Sequence, residues 1–239
     1  MKFYRILIVI VTIVFITFVG RNVITDYLDR LLPYISRYIP LEDYFLNRYI
    51  YKRKVNALLV DYSVINIDME AVFIGDSHIQ NFDLKTNFPN YNVVNMGVAN
   101  DTTKGLLLRL NGLPKSRAYM LFVMIGYNDL RYRKPAEITR NYRQALNTIQ
   151  ERFEIPNESI YVLSLLPVSV EKRNKNKKIM ILNAEIRSMT NEMGLNILDI
   201  YSSFIDDHDS IQLEYFVDGV HLNSKGYSLL TKIIDQEIN

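Results

Sequence analysis

The sequence predicts an α/β domain with a mostly parallel, five-stranded sheet that is covered by helices on both faces. Short aliphatic and β-branched runs alternate with helical patterns over roughly the last 170 residues. Three of these runs are followed directly by a glycine, at Gly75, Gly97 and Gly126. Strands that alternate with helices in this way are typical of parallel sheets with right-handed crossovers.

The five strands are expected at 71–74, 91–96, 119–125, 160–166 and 195–200. Helical patterns follow at about 102–110, 135–153, 176–193 and 224–238. Pro135 suits the first turn of its helix, and Gly194 ends the next one. The segment at 79–90 is short and has Pro89 near its end, so it has room for a brief helix at most.

Composition limits the classes of protein to consider. The chain has 239 residues, of which 49% are hydrophobic and 23% charged, enough for one full core. A formal charge of +2 does not indicate nucleic acid, and we expect no nucleic-acid partner. The chain has no cysteine, which excludes disulfides, thiolate metal sites and a cysteine nucleophile.

The amino terminus predicts a membrane anchor at residues 1–24. The run 6–19 carries no charge and is bracketed by Lys2, Arg5 and Arg21. It is short for a span of roughly 20 residues, but apolar neighbours extend it while the arginines reach the headgroups. The alternative is a cleaved signal peptide, although Phe18 is too large for a cleavage position. We expect a single-pass membrane protein with its main domain outside the cytoplasm.

Residues 25–67 are predicted to connect this anchor to the domain at 68–239. The connector is rich in tyrosine, and Pro33 and Pro40 divide it into short helical stretches. One interpretation places it at the lipid interface, with Arg48 and Lys52 near phosphates. The other packs it on the domain as a helical layer, and the sequence leaves both open.

Ser77 is the candidate nucleophile. The buried-strand pattern at 71–74 runs straight into Gly75, Asp76 and Ser77. In an open parallel sheet the carboxyl ends of the strands face the ligand crevice, so the hydroxyl would lie at its rim. The same tripeptide is also an ordinary turn and helix cap, and that alternative stays open for the motif taken alone.

A serine nucleophile needs a base, and His221 is the best candidate. A helix that begins at Ser77 would turn His78 away from it, and His208 lies in an acidic D-D-H-D segment with too few ligands for a metal site. Asp218 comes three residues before His221 and can reach its Nδ1. Taken singly, Asp218 is equally well explained as a turn residue.

Acyl transfer also needs hydrogen-bond donors for the oxyanion. The predicted donors are the main-chain N–H groups of Ser77 and Gly97 and the side-chain amide of Asn128, each just past a strand end. The loss of one such donor typically costs roughly a hundredfold in rate.

These blocks together resemble the SGNH hydrolases, also called the GDSL esterase/lipase family, over about residues 72–226. The resemblance rests on G-D-S, then Gly97, then G-x-N-D, then D-x-x-H with the trailing D-G-V-H-L-N-S-K-G-Y. It implies a flavodoxin-like three-layer α/β/α fold with five parallel strands. It also implies a nucleophile at Ser77, oxyanion donors at Gly97 and Asn128, a base at His221 and Asp218 as the third triad member. No metal or organic cofactor is required, and the absence of a G-x-S-x-G elbow disfavours an α/β-hydrolase fold.

Three functions remain open at this point. The preferred one is a membrane-anchored serine esterase acting on short-chain acyl esters, such as O-acetyl groups, of a cell-surface glycan or lipid. The second is an O-acetyltransferase that modifies a cell-envelope polysaccharide, because His78 gives the motif G-D-S-H, which resembles SGNH domains tied to polysaccharide O-acetylation. The third is a non-catalytic glycan-binding or assembly protein. The basic run at 172–178 is either a lip for an anionic substrate or a solvated loop and helix start.

Overall fold

The computed structural model describes residues 69–113, 115–169 and 173–238, together with 52 and 54–56. Its centre is a five-stranded sheet in the order β2-β1-β3-β4-β5, in which every pairing is parallel. The strands are β1 (Met69–Gly75), β2 (Val93–Gly97), β3 (Ala118–Met124), β4 (Ile160–Leu163) and β5 (Asn196–Leu198). The predicted five-stranded parallel α/β fold is confirmed.

Between residues 69 and 238 the helices are α1 (Ser77–Gln80), α2 (Leu84–Asn87), α3 (Thr103–Leu110), α4 (Pro135–Phe153), α5 (Arg173–Met193) and α6 (Ser224–Ile238). Short 3₁₀ turns lie at Asn128–Arg131, Asn157–Ser159, Tyr201–Phe204 and Leu213–Tyr215. Pro135 occupies the start of α4, and Gly194, with φ of 66°, follows α5. Thr102 caps α3 by accepting a hydrogen bond from the Gly105 N–H.

Alternate side chains of the central strands supply two separate cores. On one face, Val72 and Val123 pack with Tyr142 of α4 and Ile186 of α5. On the other face, Phe73 belongs to a cluster that contains Phe122, Tyr227, Leu230 and Ile234. The Phe73 and Phe122 rings stack with centroids 4.6 Å apart. The result is a three-layer arrangement, because both faces of the sheet are apolar and helices cover both.

The strand register aligns the ends of the three strands that carry the candidate site. Gly75 of β1 pairs with Gly97 of β2 on one side and with Met124 of β3 on the other. The loops that follow these three strands therefore leave the sheet at one edge.

Several elements differ in length from their predictions. β4 ends at Leu163 rather than 166, because Asn183 of α5 takes both the N–H and the C=O of Leu165 away from the strand ladder. α5 begins one turn earlier than predicted, and 79–90 holds part of α1 and all of α2.

The predicted anchor lies outside the described residues, as does nearly all of the predicted connector. Within the described part of the chain, no helix has the length and apolar character needed to cross a membrane.

Candidate active site

Ser77 lies at the carboxyl end of β1, where the chain turns into α1. Asp76 caps this helix, and its Oδ1 accepts a hydrogen bond from the His78 N–H at 3.0 Å. Ser77 is the first residue of α1, and among the described residues none accepts a hydrogen bond from its main-chain N–H. The cap thus leaves both the hydroxyl and the N–H of Ser77 available at the rim of the sheet.

The three residues predicted as a triad lie together. Ser77 Oγ is 3.1 Å from Nε2 of His221, and Nδ1 of His221 is 2.8 Å from Oδ2 of Asp218. A hydroxyl, an imidazole and a carboxylate in line at hydrogen-bonding distance form the arrangement that activates a serine. The structure therefore joins residues separated by 144 positions in the chain.

The Asp218 carboxylate fixes the conformation of the loop at 218–221. Asp218 Oδ1 accepts hydrogen bonds from the N–H groups of Val220 at 3.0 Å and His221 at 2.8 Å, which leaves Oδ2 for the imidazole. Gly219 has φ of 71° and lies against Ser169, so that an added Cβ would come within 2.6 Å of the Ser169 Cβ. These contacts fix the direction in which His221 leaves the loop.

The same contacts hold Asp218 in its charged form. Burial acts to raise the pKa of this carboxyl, but the hydrogen bonds from His221 and Val220 and the charge of His221 outweigh burial and lower the pKa to about 2. Asp218 is therefore ionised at neutral pH, as an orienting partner of a histidine must be.

Asn128 enters the site from the end of β3. Gly126, with φ of 123°, allows the tight turn after the strand, and Asn128 begins the following 3₁₀ turn. Its Nδ2 donates to the C=O of Asp101 at 3.0 Å and lies 3.5 Å from Oδ2 of Asp76, next to Ser77. The amide is buried. One of its two hydrogens donates to Asp101, and the other has only the long 3.5 Å contact with Asp76, so this second hydrogen is the one that an oxyanion can take up.

The prediction that Gly97 supplies an oxyanion donor needs a correction. Its N–H already donates to Oδ1 of Asn95 at 2.9 Å. Gly97 is required here for packing, since an added Cβ would lie 2.1 Å from the main-chain nitrogen of Gln80. The glycine therefore lets α1 approach β2 closely, and its N–H is not available to a substrate.

Asn100 lies at the same edge of the sheet, and the sequence patterns do not single it out. It is exposed, has φ of 64°, and among the described residues none accepts a hydrogen bond from its N–H. Both residues that flank Asn100 make hydrogen bonds near the site. The Ala99 N–H donates to the Gln80 side chain, and the Asp101 C=O accepts from the Asn128 amide. A sequence signal existed, since asparagine tolerates positive φ better than other non-glycine residues.

A buried ion pair supports this edge of the sheet. Arg109 Nε is 2.8 Å from Oδ2 of Asp101, and Nη2 donates to the Gly75 C=O at 3.3 Å. Both side chains are almost fully buried. Arg109 thereby joins the end of β1 to the turn after β2, the two segments that carry Ser77 and Asn100.

Asp76 is fully buried beside this pair, and burial is the main reason why its pKa is raised to about 7. The hydrogen bond from His78 acts in the opposite direction, and the charges of Asp101 and Asp129 raise the pKa further. Because the folded state holds this proton more tightly than the unfolded chain, Asp76 favours folding at low pH. Its contribution is lost as the pH rises from about 4 to about 7.

We expect Asp76→Asn to stabilise the protein at pH 8 by about 1–4 kcal/mol, because the amide keeps the Oδ1 acceptor for the His78 N–H and removes a buried charge, which outweighs the loss of the long 3.5 Å contact with the Asn128 amide. The gain should disappear near pH 4, where the aspartate is protonated. Urea unfolding of both proteins across this pH range measures the difference. Asp207→Asn, at an exposed aspartate, is the control. A variant no more stable than wild type at pH 8 contradicts the assignment of a costly buried carboxyl.

His208 and the basic run do not belong to the triad. His208 is exposed in a loop, and the described part of the chain has no group of three or more His, Cys, Asp or Glu side chains that would hold a metal ion. In the basic run at 172–178, Lys175 contacts Tyr127. Its Nζ lies 5.2 Å from the ring centroid and 3.4 Å from the hydroxyl oxygen. Lys172 lies outside the described residues.

Comparison with known proteins gives a family match and similar solved structures. Residues 73–229 match the model of the GDSL-like Lipase/Acylhydrolase family. A Streptococcus pneumonia structure, described only provisionally as a platelet activating factor, is 22% identical with a TM-score of 0.73, covering 83% of this chain and 96% of its own. A GDSL-like lipase from Bacteroides thetaiotaomicron is 19% identical with a TM-score of 0.65, covering 81% and 98%.

The acetyl xylan esterase AlAXEase is 16% identical with a TM-score of 0.58, covering 72% of this chain and 100% of its own. No curated protein matches the sequence. At these identities the structural matches bear on the fold alone.

Proposed function

Because the chain belongs to the GDSL-like lipase/acylhydrolase family of enzymes, we propose that it hydrolyses short-chain acyl esters with Ser77 as nucleophile, His221 as base and Asp218 as the residue that orients it. The observation that carries this proposal is the continuous hydrogen-bonded line from Ser77 Oγ through His221 to Asp218, at 3.1 and 2.8 Å. Each member has the chemistry that its position requires.

In the first half of the reaction, Ser77 Oγ attacks the ester carbonyl while Nε2 of His221 takes its proton. Ionised Asp218 accepts the Nδ1–H and stabilises the imidazolium. The alcohol then leaves with the proton that His221 returns, and the acyl group remains on Ser77. In the second half, His221 activates a water molecule in the same way, and the acid is released.

The oxyanion of the tetrahedral intermediate is held by the main-chain N–H of Ser77, the Asn128 amide and, in place of Gly97, the N–H of Asn100. Support for this set comes from the two N–H groups, which lack acceptors among the described residues, and from the Asn128 amide, whose second hydrogen makes only a long contact of 3.5 Å with Asp76. Such preorganised donors are usually the largest single contribution to acyl-transfer catalysis.

The proposal also includes the cellular location of the protein and the class of its substrate. The apolar run at 6–19 with its basic flanks anchors the chain in a membrane, with the catalytic domain on the extracytoplasmic side. The substrate is a small acyl ester, such as an O-acetyl group, on a glycan or lipid of the cell surface. The crevice at the sheet edge is the place where ligands bind in open α/β sheets.

The experiment that tests this function is hydrolysis of p-nitrophenyl acetate by the full chain. A burst of p-nitrophenol followed by steady turnover is expected, because an acyl-enzyme forms before water resolves it. If a burst is followed by little turnover until an oligosaccharide is added, the acceptor is a sugar hydroxyl and the protein is an acyltransferase. A complete lack of p-nitrophenol release contradicts both forms of the proposal.

Asn128→Ala is expected to lower kcat for p-nitrophenyl acetate about a hundredfold and to leave KM within about threefold, because the amide acts on the oxyanion that forms only in the transition state. Steady-state kinetics measures both constants. Asn111→Ala, at an exposed asparagine on the far end of α3, is the control. A variant that loses affinity while keeping kcat assigns Asn128 to ground-state binding instead.

A further inference from the structure

His78 is packed against the proposed base. It directly follows Ser77 in α1, and its side chain is buried. The centroids of the His78 and His221 rings are 5.5 Å apart, and their planes are inclined at 36°. His78 is thus the neighbour of the nucleophile along the chain, and its ring lies beside the ring of the base.

Burying the His78 imidazole costs folding free energy. Its Nδ1 is buried and has no hydrogen-bond partner among the described residues. A buried polar atom without a partner costs about 1–3 kcal/mol, a penalty that a hydrocarbon side chain of similar size would not incur. Packing alone therefore does not account for a histidine at this position.

The site also keeps His78 uncharged. Burial is the largest cause of the lowering of its pKa to about 3, the positive charge of His221 adds to it, and Asp218 opposes it. Two groups bind the main chain of His78: Asp76 accepts from its N–H, and the Tyr227 hydroxyl donates to its C=O at 2.8 Å. At neutral pH, His78 therefore carries no charge that would oppose an imidazolium beside it.

We propose that His78 is a positioning residue for His221: its neutral, polar ring holds the base against Ser77 and stabilises the imidazolium that forms when Ser77 Oγ gives up its proton. The inference rests on the proposed function and adds a residue that acts through the base. His78 is buried, and on its side of the His221 ring the dipole of a neutral imidazole interacts with a neighbouring positive charge more strongly than a hydrocarbon does. His78 transfers no proton and forms no bond.

The test compares His78→Leu with His78→Asn, two side chains of nearly equal shape, of which one is apolar and the other polar. We expect His78→Leu to be at least as stable as wild type in thermal unfolding, because it removes the unpartnered Nδ1, and to lose about tenfold in kcat for p-nitrophenyl acetate with KM unchanged. His78→Asn should be the less stable variant and keep kcat within about threefold. A purely structural role predicts the opposite order, with activity following stability.

The inference is overturned if His78→Leu keeps wild-type kcat, or if activity in the two variants falls in step with their stability. If neither variant folds, NMR of the histidine rings in the wild-type chain decides. A His78 ring that stays neutral from pH 8 to pH 5 and shows a cross-peak to His221 supports the inference, and a ring that titrates near pH 6.5 overturns it. A wild-type chain without Ser77-dependent activity contradicts the proposed function itself, whereas an indifferent His78→Leu contradicts this inference alone.

Discussion

Ser77→Ala is expected to abolish ester hydrolysis and to lower kcat for p-nitrophenyl acetate on the order of 10⁴-fold or more. The reason is that, among the described residues, no other hydroxyl lies within hydrogen-bonding distance of His221 Nε2. The residual rate should come from the oxyanion donors acting on attack by water. No burst of p-nitrophenol should remain, since alanine has no hydroxyl on which the acyl-enzyme ester could form. Stopped-flow absorbance resolves the burst from the steady rate.

The control for this variant is Ser228→Ala, which removes an exposed serine hydroxyl from α6. Both variants should unfold at the wild-type temperature, because neither side chain is part of the two cores. A Ser77→Ala protein that keeps even a tenth of the wild-type burst shows that another residue carries the acyl group.

His221→Ala is expected to lower kcat about as far as Ser77→Ala, because the two residues act as a unit and the loss of either removes the activated nucleophile. Its pH dependence should also change. Without a base, the Ser77 hydroxyl must lose its proton to solvent, so the residual rate should rise steadily with pH. Initial rates between pH 6 and pH 9 measure this dependence.

His208→Ala is the matched control, since it removes an exposed histidine from a loop away from Ser77. It should keep the wild-type rate and pH profile. If His208→Ala is as damaging as His221→Ala, the base has been assigned to the wrong histidine.

Much of the fold could be read from the sequence where local signals and packing agree. α4 runs from Pro135 to Phe153 and α6 from Ser224 to Ile238, as predicted, because an apolar stripe and a suitable first turn coincide in each. β4 is shorter than its apolar run because Asn183, which is distant in sequence, binds the main chain at Leu165. A contact of that kind leaves no local pattern in the strand.

Some residues of the candidate site could likewise be predicted from the sequence, and others could not. Ser77, Asn128, Asp218 and His221 follow strand ends or precede a helix, so chain order places them at one edge of the sheet. The sequence predicts Gly97 as the oxyanion donor after β2, because glycine is the usual sign of close approach, but this glycine accommodates the backbone of Gln80. The cluster of Asp76, Asp101 and Arg109 depends on tertiary contacts between three segments, and their spacing in the chain does not reveal it.

The central claim is that Ser77 is a nucleophile activated by His221, and labelling with a fluorophosphonate probe tests it most directly. The full wild-type chain should acquire one adduct, which mass spectrometry of the digested protein locates on the peptide that contains Ser77. His221→Ala should label at least a hundredfold more slowly under the same conditions, roughly in line with the loss of a general base. Equal labelling of the two proteins, or an adduct on any other residue, contradicts the account.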